Sequence, residues 1–430
     1  MGLIKNILQK NTILLAAHAS LFIFLMYTCA YAFRKPFTVG LYEGESILGF
    51  DAKVIYVLAE IIGYACSKFI GVRILPGMKP NQRMLYAIGL MSVSEVALLG
   101  FAVLPIPLKV VSILISGLPL GMMWGILFSY IEGRRISELI NVGLSVALIV
   151  SSGIVKTVGQ FVLDTFAVSE YWMPAVTGLL CYPVMLVCSY MLTQIPEPDE
   201  KDKAERSERL PMTKQEQKDF FRRFTGGIIS LVVFYGALTV FREIRDSFAA
   251  DVWKELGLVD SFIFTKTEIP IAFFVLFMMT MIVFVRSNRT ARNIMYVIAT
   301  LGCMLLILST WMYTHSQISA VNWMILSGLG MYMGYIPFTY LIERLIASIK
   351  VVSTAVFLMY LADSFGYLGT TAVFLVKNFA NLEISWVNML IYTAYVVGFV
   401  ALVSIVLTFW YFRKQIVKIT YSELIENKEK

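Results

Sequence analysis

The sequence predicts an all-α polytopic membrane protein, with twelve transmembrane helices arranged as two six-helix bundles. Three observations predict it. Of the 430 residues, 58% are apolar and only 15% are charged, against about 25% charged in soluble domains. Apolar stretches of the roughly 20 residues that a bilayer-spanning helix needs recur along the whole chain. One long polar connector, residues 196–224, divides them into two sets of six.

The stretches place helices at 12–40, 52–73, 83–104, 109–131, 137–162 and 171–194 in the first half. In the second half they fall at 226–249, 262–285, 292–313, 320–342, 352–376 and 385–411. The first is read as an uncleaved helix rather than a signal peptide. Its apolar run continues from Leu21 to Met26, beyond the Ala17-His18-Ala19 stretch that resembles a cleavage site. Domain limits follow: an N-terminal bundle over 1–195, a linker over 196–224, and a C-terminal bundle with a short tail over 225–430.

Orientation comes from the basic residues in the loops. One side carries Lys5, Lys10, Arg73, Lys79, Arg83, Arg134, Arg135, Arg286, Arg289, Arg292, Arg344, Lys350, Arg413, Lys414 and Lys418. The other holds Glu43, Glu45, Asp51, Asp164, Glu170, Asp251 and Glu255, with Lys53 and Lys254 as exceptions. Both termini are therefore expected on the cytoplasmic side, in a bacterial inner membrane. The net charge of +7 is explained by that bias, and no nucleic acid is expected as a partner.

The linker ends in Thr213-Lys-Gln-Glu216, which fits a helix capping box. Phe220, Phe221 and Phe224 beyond it are expected on the membrane surface. The halves also read as repeats. An offset of 208 residues aligns Tyr27 with Tyr235, Phe33-Arg34 with Phe241-Arg242, and Glu60-Ile61 with Glu268-Ile269. An offset of 211 aligns Ser116-Gly117-Leu118 with Ser327-Gly328-Leu329.

Charges inside apolar stretches are costly, about 2.5–3.5 kcal/mol at the bilayer centre, so they face protein or water and mark function. Arg34, Glu60, Lys68, Lys156, Arg242, Arg245, Glu268 and Asp363 are of this kind. Pro36 and Gly40 can bend the first helix and aim Arg34 inward. Arg242 holds the matching place in the second half, while Arg245, beside Asp246, can also pair with it at the surface. Lys68 stands five residues before Arg73 and can instead extend to the cytoplasmic face. Two guanidinium groups, one per half, suit a phosphate or carboxylate. The expected ligand is therefore a small anion.

At these residues the chain resembles the organophosphate:phosphate antiporters of the major facilitator superfamily. Tyr31-Ala-Phe-Arg34-Lys35-Pro-Phe37 resembles their first-helix motif, and Tyr64-x-x-Ser67-Lys68-Phe69-x-Gly71 their second-helix motif. Arg242, twelve residues before Lys254-Glu255, resembles their seventh-helix arginine. The chain is closer still to an uncharacterised bacterial family of facilitator-like membrane proteins. That family shares Arg34-Lys-Pro-Phe37, Glu132-Gly-Arg-Arg135 and Tyr360-Leu-Ala-Asp363.

The resemblance implies a secondary active transporter of a small organic anion, phosphorylated or carboxylated, working by alternating access. Arg34, Lys68 and Arg242 would bind the substrate, with Lys156, Arg245 and Tyr31 beside them. Glu60, Glu268 and Asp363 would serve gating or coupling, or act as counter-ions to Lys68 and Lys156. In the resembled fold the fifth and eighth helices meet, which pairs Lys156 with Glu268 near the outer side. The antiporters' fifth-helix histidine has no counterpart, since Leu148 stands near its place.

The other expected partners are the bilayer and a coupling proton or exchanged anion, for a monomer without cofactor or metal. An enzyme is not expected. The two histidines, His18 and His315, form no metal-spaced cluster, and no nucleophile motif or glycine-rich phosphate loop occurs. The alternative function is a non-transporting membrane receptor or sensor on the same fold.

Overall fold

The computed structural model describes residues 3–74, 78–130, 137–197, 214–258, 260, 262–285, 287–349, 355–379 and 384–429. Glu132, Arg134, Arg135, Arg286, Lys350, Thr213 and most of the expected linker lie outside the described residues.

The first half begins with a short helix, α1 (Leu3–Lys10), which the apolar pattern does not announce. There follow α2 (Thr12–Ala32), α3 (Ala52–Ile74), α4 (Arg83–Val103), α5 (Ile106–Gly117), α6 (Leu120–Ser129), α7 (Ser137–Phe166) and α8 (Met173–Thr193). The second half holds α9 (Lys214–Ser247), α10 (Ala249–Glu255), α11 (Ile263–Val283), α12 (Asn288–Thr314) and α13 (Ala320–Tyr335). It ends with α14 (Phe338–Ile349), α15 (Ala355–Phe379) and α16 (Trp386–Glu429). A small hairpin, β1 (Ser46–Ile47) paired antiparallel with β2 (Phe50–Asp51), precedes α3.

Each expected apolar stretch is helical, with informative differences at the ends. α2 starts where the Asn11 side chain accepts from the Leu14 N–H, a standard N-cap. It stops at Ala32 rather than running to residue 40, because Pro36 has no N–H to continue the ladder. A 3₁₀ turn over Pro36–Val39 replaces the last turns. The expected helix at 109–131 is broken at Pro119 into α5 and α6, and the one at 320–342 at Pro337 into α13 and α14. α9 absorbs the end of the linker across a non-helical Phe224 (φ −118, ψ 20). Phe220 and Phe224 are buried, and Phe224 stacks on Phe412. They are core residues of that segment, not membrane-surface anchors.

Among the described residues, ten spans are long and apolar enough to cross a membrane. α3 and α15 occupy the two remaining expected places. Large apolar side chains stand exposed along these spans, such as Leu179, Val184 and Val187 on α8 and Phe273, Phe274 and Phe277 on α11. Such continuous apolar surface fits lipid, not water.

The chain forms two compact units. The first comprises Met1–Arg206, Asp246–Leu276 and Phe374–Trp386; the second comprises Ser207–Arg245, Phe277–Val373 and Val387–Lys430. In the first, α2 packs on α7 and α8, while α3 and α4 pack on α5. Gly117 and Gly121 bring α5 and α6 onto α3. A Cβ on Gly117 would stand 2.7 Å from the Glu60 carbonyl, and one on Gly121 2.9 Å from the Tyr64 carbonyl. Small residues allow such close backbone approach inside membranes. In the second unit α12 packs on α13 and α14. There Gly302 and Gly330 face each other so closely that a Cβ on either would meet the other's carbonyl at 2.5–2.6 Å.

Candidate functional site

In the first unit, the turn after α2 and the middle of α3 bring four of the expected residues together. Arg34 is 3% exposed and Glu60 1%, and the Arg34 Nε donates to the Glu60 carboxylate. The Arg34 guanidinium lies 4.0 Å from the Tyr64 ring centre and 5.9 Å from that of Tyr31. The Lys68 ammonium reaches the same Tyr64 ring at 4.8 Å. The order of α3 explains the convergence: Glu60, Tyr64 and Lys68 recur every four residues and share one face. Two cations on one aromatic ring, with one carboxylate between the helices, form a compact basic cluster.

A second cluster in the same unit gathers around Asp246. Its carboxylate takes the Lys35 ammonium at 2.8 Å on one oxygen and the Lys156 ammonium at 2.6 Å on the other. Lys156 also donates to the Asp246 carbonyl, and the Ser152 hydroxyl donates to the carboxylate. Lys35 adds the Ser247 hydroxyl at 3.5 Å. Both lysines are buried. The ammonium of Lys156 is thus bonded to Asp246 rather than to Glu268, the partner expected from the sequence. The helices do meet as expected. The Thr157 and Thr265 hydroxyls are 2.7 Å apart, and Glu268 packs on Gly153, one turn before Lys156. Asp246 takes precedence because it ends α9 beside both lysines, whereas Glu268 adds only a more distant favourable charge to Lys156.

In the second unit Arg242 is buried, its Nη2 2.5 Å from Glu243 and 3.2 Å from the Tyr367 hydroxyl. Its guanidinium lies 5.0 Å from the Tyr335 ring centre. Tyr335 stacks on Tyr235 at 4.6 Å, and Asp363 acts on Tyr235 electrostatically. Arg245 is 4% exposed and donates to the Met324 carbonyl at 3.1 Å. It is a buried residue, not half of a surface pair.

Sequence reasoning passes over four buried charges, Lys35, Glu95, Lys109 and Glu243, and names the half-buried Asp246 only as a surface partner of Arg245. Lys35 stands inside the quoted motif, and Glu95 is a lone acid in an apolar run, so the rule that flags Arg34 applies to both. Outside the membrane spans, a cavity of about 660 Å³ is lined by Glu43, Glu45, Asp51, Asp251 and Glu255 with Lys254. Its carboxylates make it a poor place for an anion. Beside this cavity Lys53 pairs with Asp251 at 2.5 Å and Lys254 pairs with Glu43. No group of three or more His, Cys, Asp or Glu able to hold a metal occurs among the described residues.

Several solved structures share this fold. A bacterial homolog of the human lysosomal transporter Spinster, inward-facing and unoccupied, aligns with a TM-score of 0.60 at 13% identity. The alignment covers 94% of this chain and 98% of that one. The inward-open xylose transporter XylE from E. coli gives 0.60 at 15% identity, over 92% and 95% of the two chains. The nucleoside transporter NupG gives 0.60 at 16% identity, over 93% and 98%. None of the curated proteins compared with the sequence matches it. The apolar spans and these neighbours define an integral membrane protein of the major-facilitator fold. Within that class the chain belongs to Family of unknown function (DUF5690), whose sequence profile matches residues 36–415.

Proposed function

We propose that this protein is a secondary transporter that moves a small organic anion, phosphorylated or carboxylated, by alternating access. The observation that carries the reading is the convergence of Arg34 and Lys68 on the Tyr64 ring, with Glu60 holding the guanidinium. An arginine offers several donors in a planar fork, so an oxyanion can bind it bidentately. Lys68 adds a mobile point charge, and Tyr31 and Tyr64 form the aromatic wall. Arg242 and Arg245 are the corresponding cations of the second unit, and Lys156 a further one of the first. Glu60, Glu268 and Asp363 serve gating or coupling. The fold shared with transporters of xylose and nucleosides supports the class, while the buried guanidinium groups favour an anion over a neutral sugar.

The remaining parts of the reading are twelve spans, bundles over 1–195 and 225–430 with a linker over 196–224, and a monomer. Both termini face the cytoplasm of a bacterial inner membrane, and a proton or an exchanged anion is the co-partner. The test is thermal shift of the purified protein with inorganic phosphate, a sugar phosphate, a dicarboxylate, xylose and a nucleoside. Uptake of the best binder into proteoliposomes follows. An anion is expected to raise the melting temperature, and Arg34→Lys, which keeps the charge but loses the fork, to abolish the shift. A shift with xylose or nucleoside alone would overturn the anion reading. Binding without uptake would make the protein a receptor.

A further inference from the structure

Glu95 lies twelve residues into α4, near the middle of a 24-residue apolar span. It is 5% exposed, and neither of its carboxyl oxygens has a hydrogen-bond partner among the described residues. The carboxyl rests directly on the backbone of α8. A Cβ on Gly178 would stand 2.2 Å from the Glu95 Oε2 and 3.1 Å from the Phe33 ring. Glycine at 178 is therefore what makes room for the acid.

Among the described residues no neighbouring charge compensates it. Among the elements packed on α4, α6 has no titratable side chain. α5 has only Lys109, whose ammonium is bonded to the Phe101 and Ala102 carbonyls. α8 has Cys181, Tyr182, Cys188 and Tyr190, and the Tyr182 hydroxyl is bonded to Ser92 at 2.6 Å. From the end of α2 comes Phe33, and the next residue, Arg34, is engaged by Glu60. Burial alone acts on the Glu95 carboxyl.

An ionised carboxylate without hydrogen bonds or counter-charge is among the most costly groups to bury, and such a group takes up a proton instead. We propose that Glu95 is a proton-binding site, loaded in this conformation and able to release its proton only when the packing of α4 on α8 and Phe33 opens to water. Pro183, five residues beyond Gly178 inside α8, removes the helical hydrogen bond to the Leu179 carbonyl and gives α8 a weak point there. Proton release and movement of α8 are thus linked, which would tie the state of the first unit to pH.

The inference goes beyond the anion-transport reading and requires no substrate to test. Infrared difference spectra of the full-length protein in nanodiscs are recorded at neutral pH, in H₂O and D₂O. Wild type is expected to show the carbonyl band of a protonated carboxylic acid, shifted in D₂O, and Glu95→Gln to lack it. Thermal unfolding from acid to alkaline pH supplies the second measurement. The native state keeps a proton that the unfolded chain releases above about pH 4.3, so stability from this group falls as pH rises. Each pH unit should weight the folding equilibrium against wild type, relative to Glu95→Gln, by up to about tenfold until the buried acid itself ionises. The absence of an infrared band lost in the variant would overturn the proposal. So would a stability difference between wild type and Glu95→Gln that stays constant or grows in favour of wild type as pH rises above about 4.3, because a proton held more tightly in the native state requires the opposite trend.

Discussion

Asp246→Asn removes the carboxylate that Lys35 and Lys156 share. The two contacts, at 2.8 and 2.6 Å, are each worth about 6 kcal/mol of Coulomb attraction at an effective dielectric of about 20. Most of that sum is offset by the desolvation of three buried charges, so it does not measure what the cluster contributes. The cost of breaking the cluster is set by what stays behind. Two ammonium groups on the two oxygens of one carboxylate sit roughly 5 Å apart and repel by about 3 kcal/mol at the same dielectric. That repulsion is released when the carboxylate goes. Removal of one partner from a buried pair typically costs about 3–5 kcal/mol, and the variant is expected in that range. The side-chain oxygen of asparagine and the nearby Glu268 keep it from being larger.

The assay is thermal unfolding of wild type, Asp246→Asn, Lys156→Gln and the double variant in one detergent. Each single variant should melt lower, and the double variant should fall short of additivity by about 1–3 kcal/mol, because it strands one lysine rather than two. An Asp246→Asn protein as stable as wild type, or strict additivity, would refute the reasoning.

Three further outcomes follow from packing, exposure and topology. Gly330→Ala places a methyl group 2.6 Å from the Gly302 carbonyl and should cost about 1–3 kcal/mol. Gly89→Ala, with nothing within 4 Å, should be neutral or stabilising by about 0.5–1 kcal/mol; melting temperatures compare the two. Asp260 is held below the usual aspartate range by the Lys266 side chain and the Phe262 N–H. Its contribution is therefore present above that range and lost as pH falls through the lowered value. Because the pair is solvent-accessible on both sides, Lys266→Met should leave the melting temperature unchanged within error at neutral pH. Single cysteines at Lys5 and Lys430 should both be labelled from the cytoplasmic side, and labelling from opposite sides would remove the even number of spans.

The helices were legible because bilayer thickness fixes the length of an apolar run, and few alternatives satisfy the backbone in lipid. Their ends were less so. Apolar residues continue past Ala32, but Pro36 decides where α2 stops, and Pro119 breaks a run that hydropathy reads as unbroken. Arg34, Glu60 and Lys68 were legible as charges in apolar runs and Tyr64 only as part of a motif; that the Tyr64 ring joins the two cations was not. Nor was the partner of Lys156. Depth in the membrane makes Glu268 plausible, but the choice between Glu268 and Asp246 depends on where α9 ends relative to Lys35. No local pattern encodes that. Phe220 and Phe224 show the same limit from the apolar side: beside Arg222 and Arg223 they read as surface anchors, yet a kink turns them into the core.

The internal repeat adds one constraint that neither half shows by itself. Each unit holds a buried arginine with a carboxylate on its guanidinium and a tyrosine ring beneath it. These are Arg34 with Glu60 and Tyr64, and Arg242 with Glu243 and Tyr335. The 208-residue offset that aligns Arg34 with Arg242 also aligns Glu60 with Glu268, so strict duplication would give Arg242 a partner in Glu268. In the second unit Glu243 lies on the Arg242 guanidinium, and in the first Glu268 packs on Gly153. The first arginine takes its carboxylate from the next helix, and the second takes one from the adjoining residue of its own helix. If the carboxylate competes with an incoming anion, Glu60→Gln and Glu243→Gln should each tighten binding of the anion that gives the thermal shift, and Arg242→Lys should cancel the gain from Glu243→Gln. Glu268→Gln should leave the Arg242 dependence intact. Loss of that dependence in Glu268→Gln, with Glu243→Gln silent, would show that the duplicated carboxylate has kept its original partner.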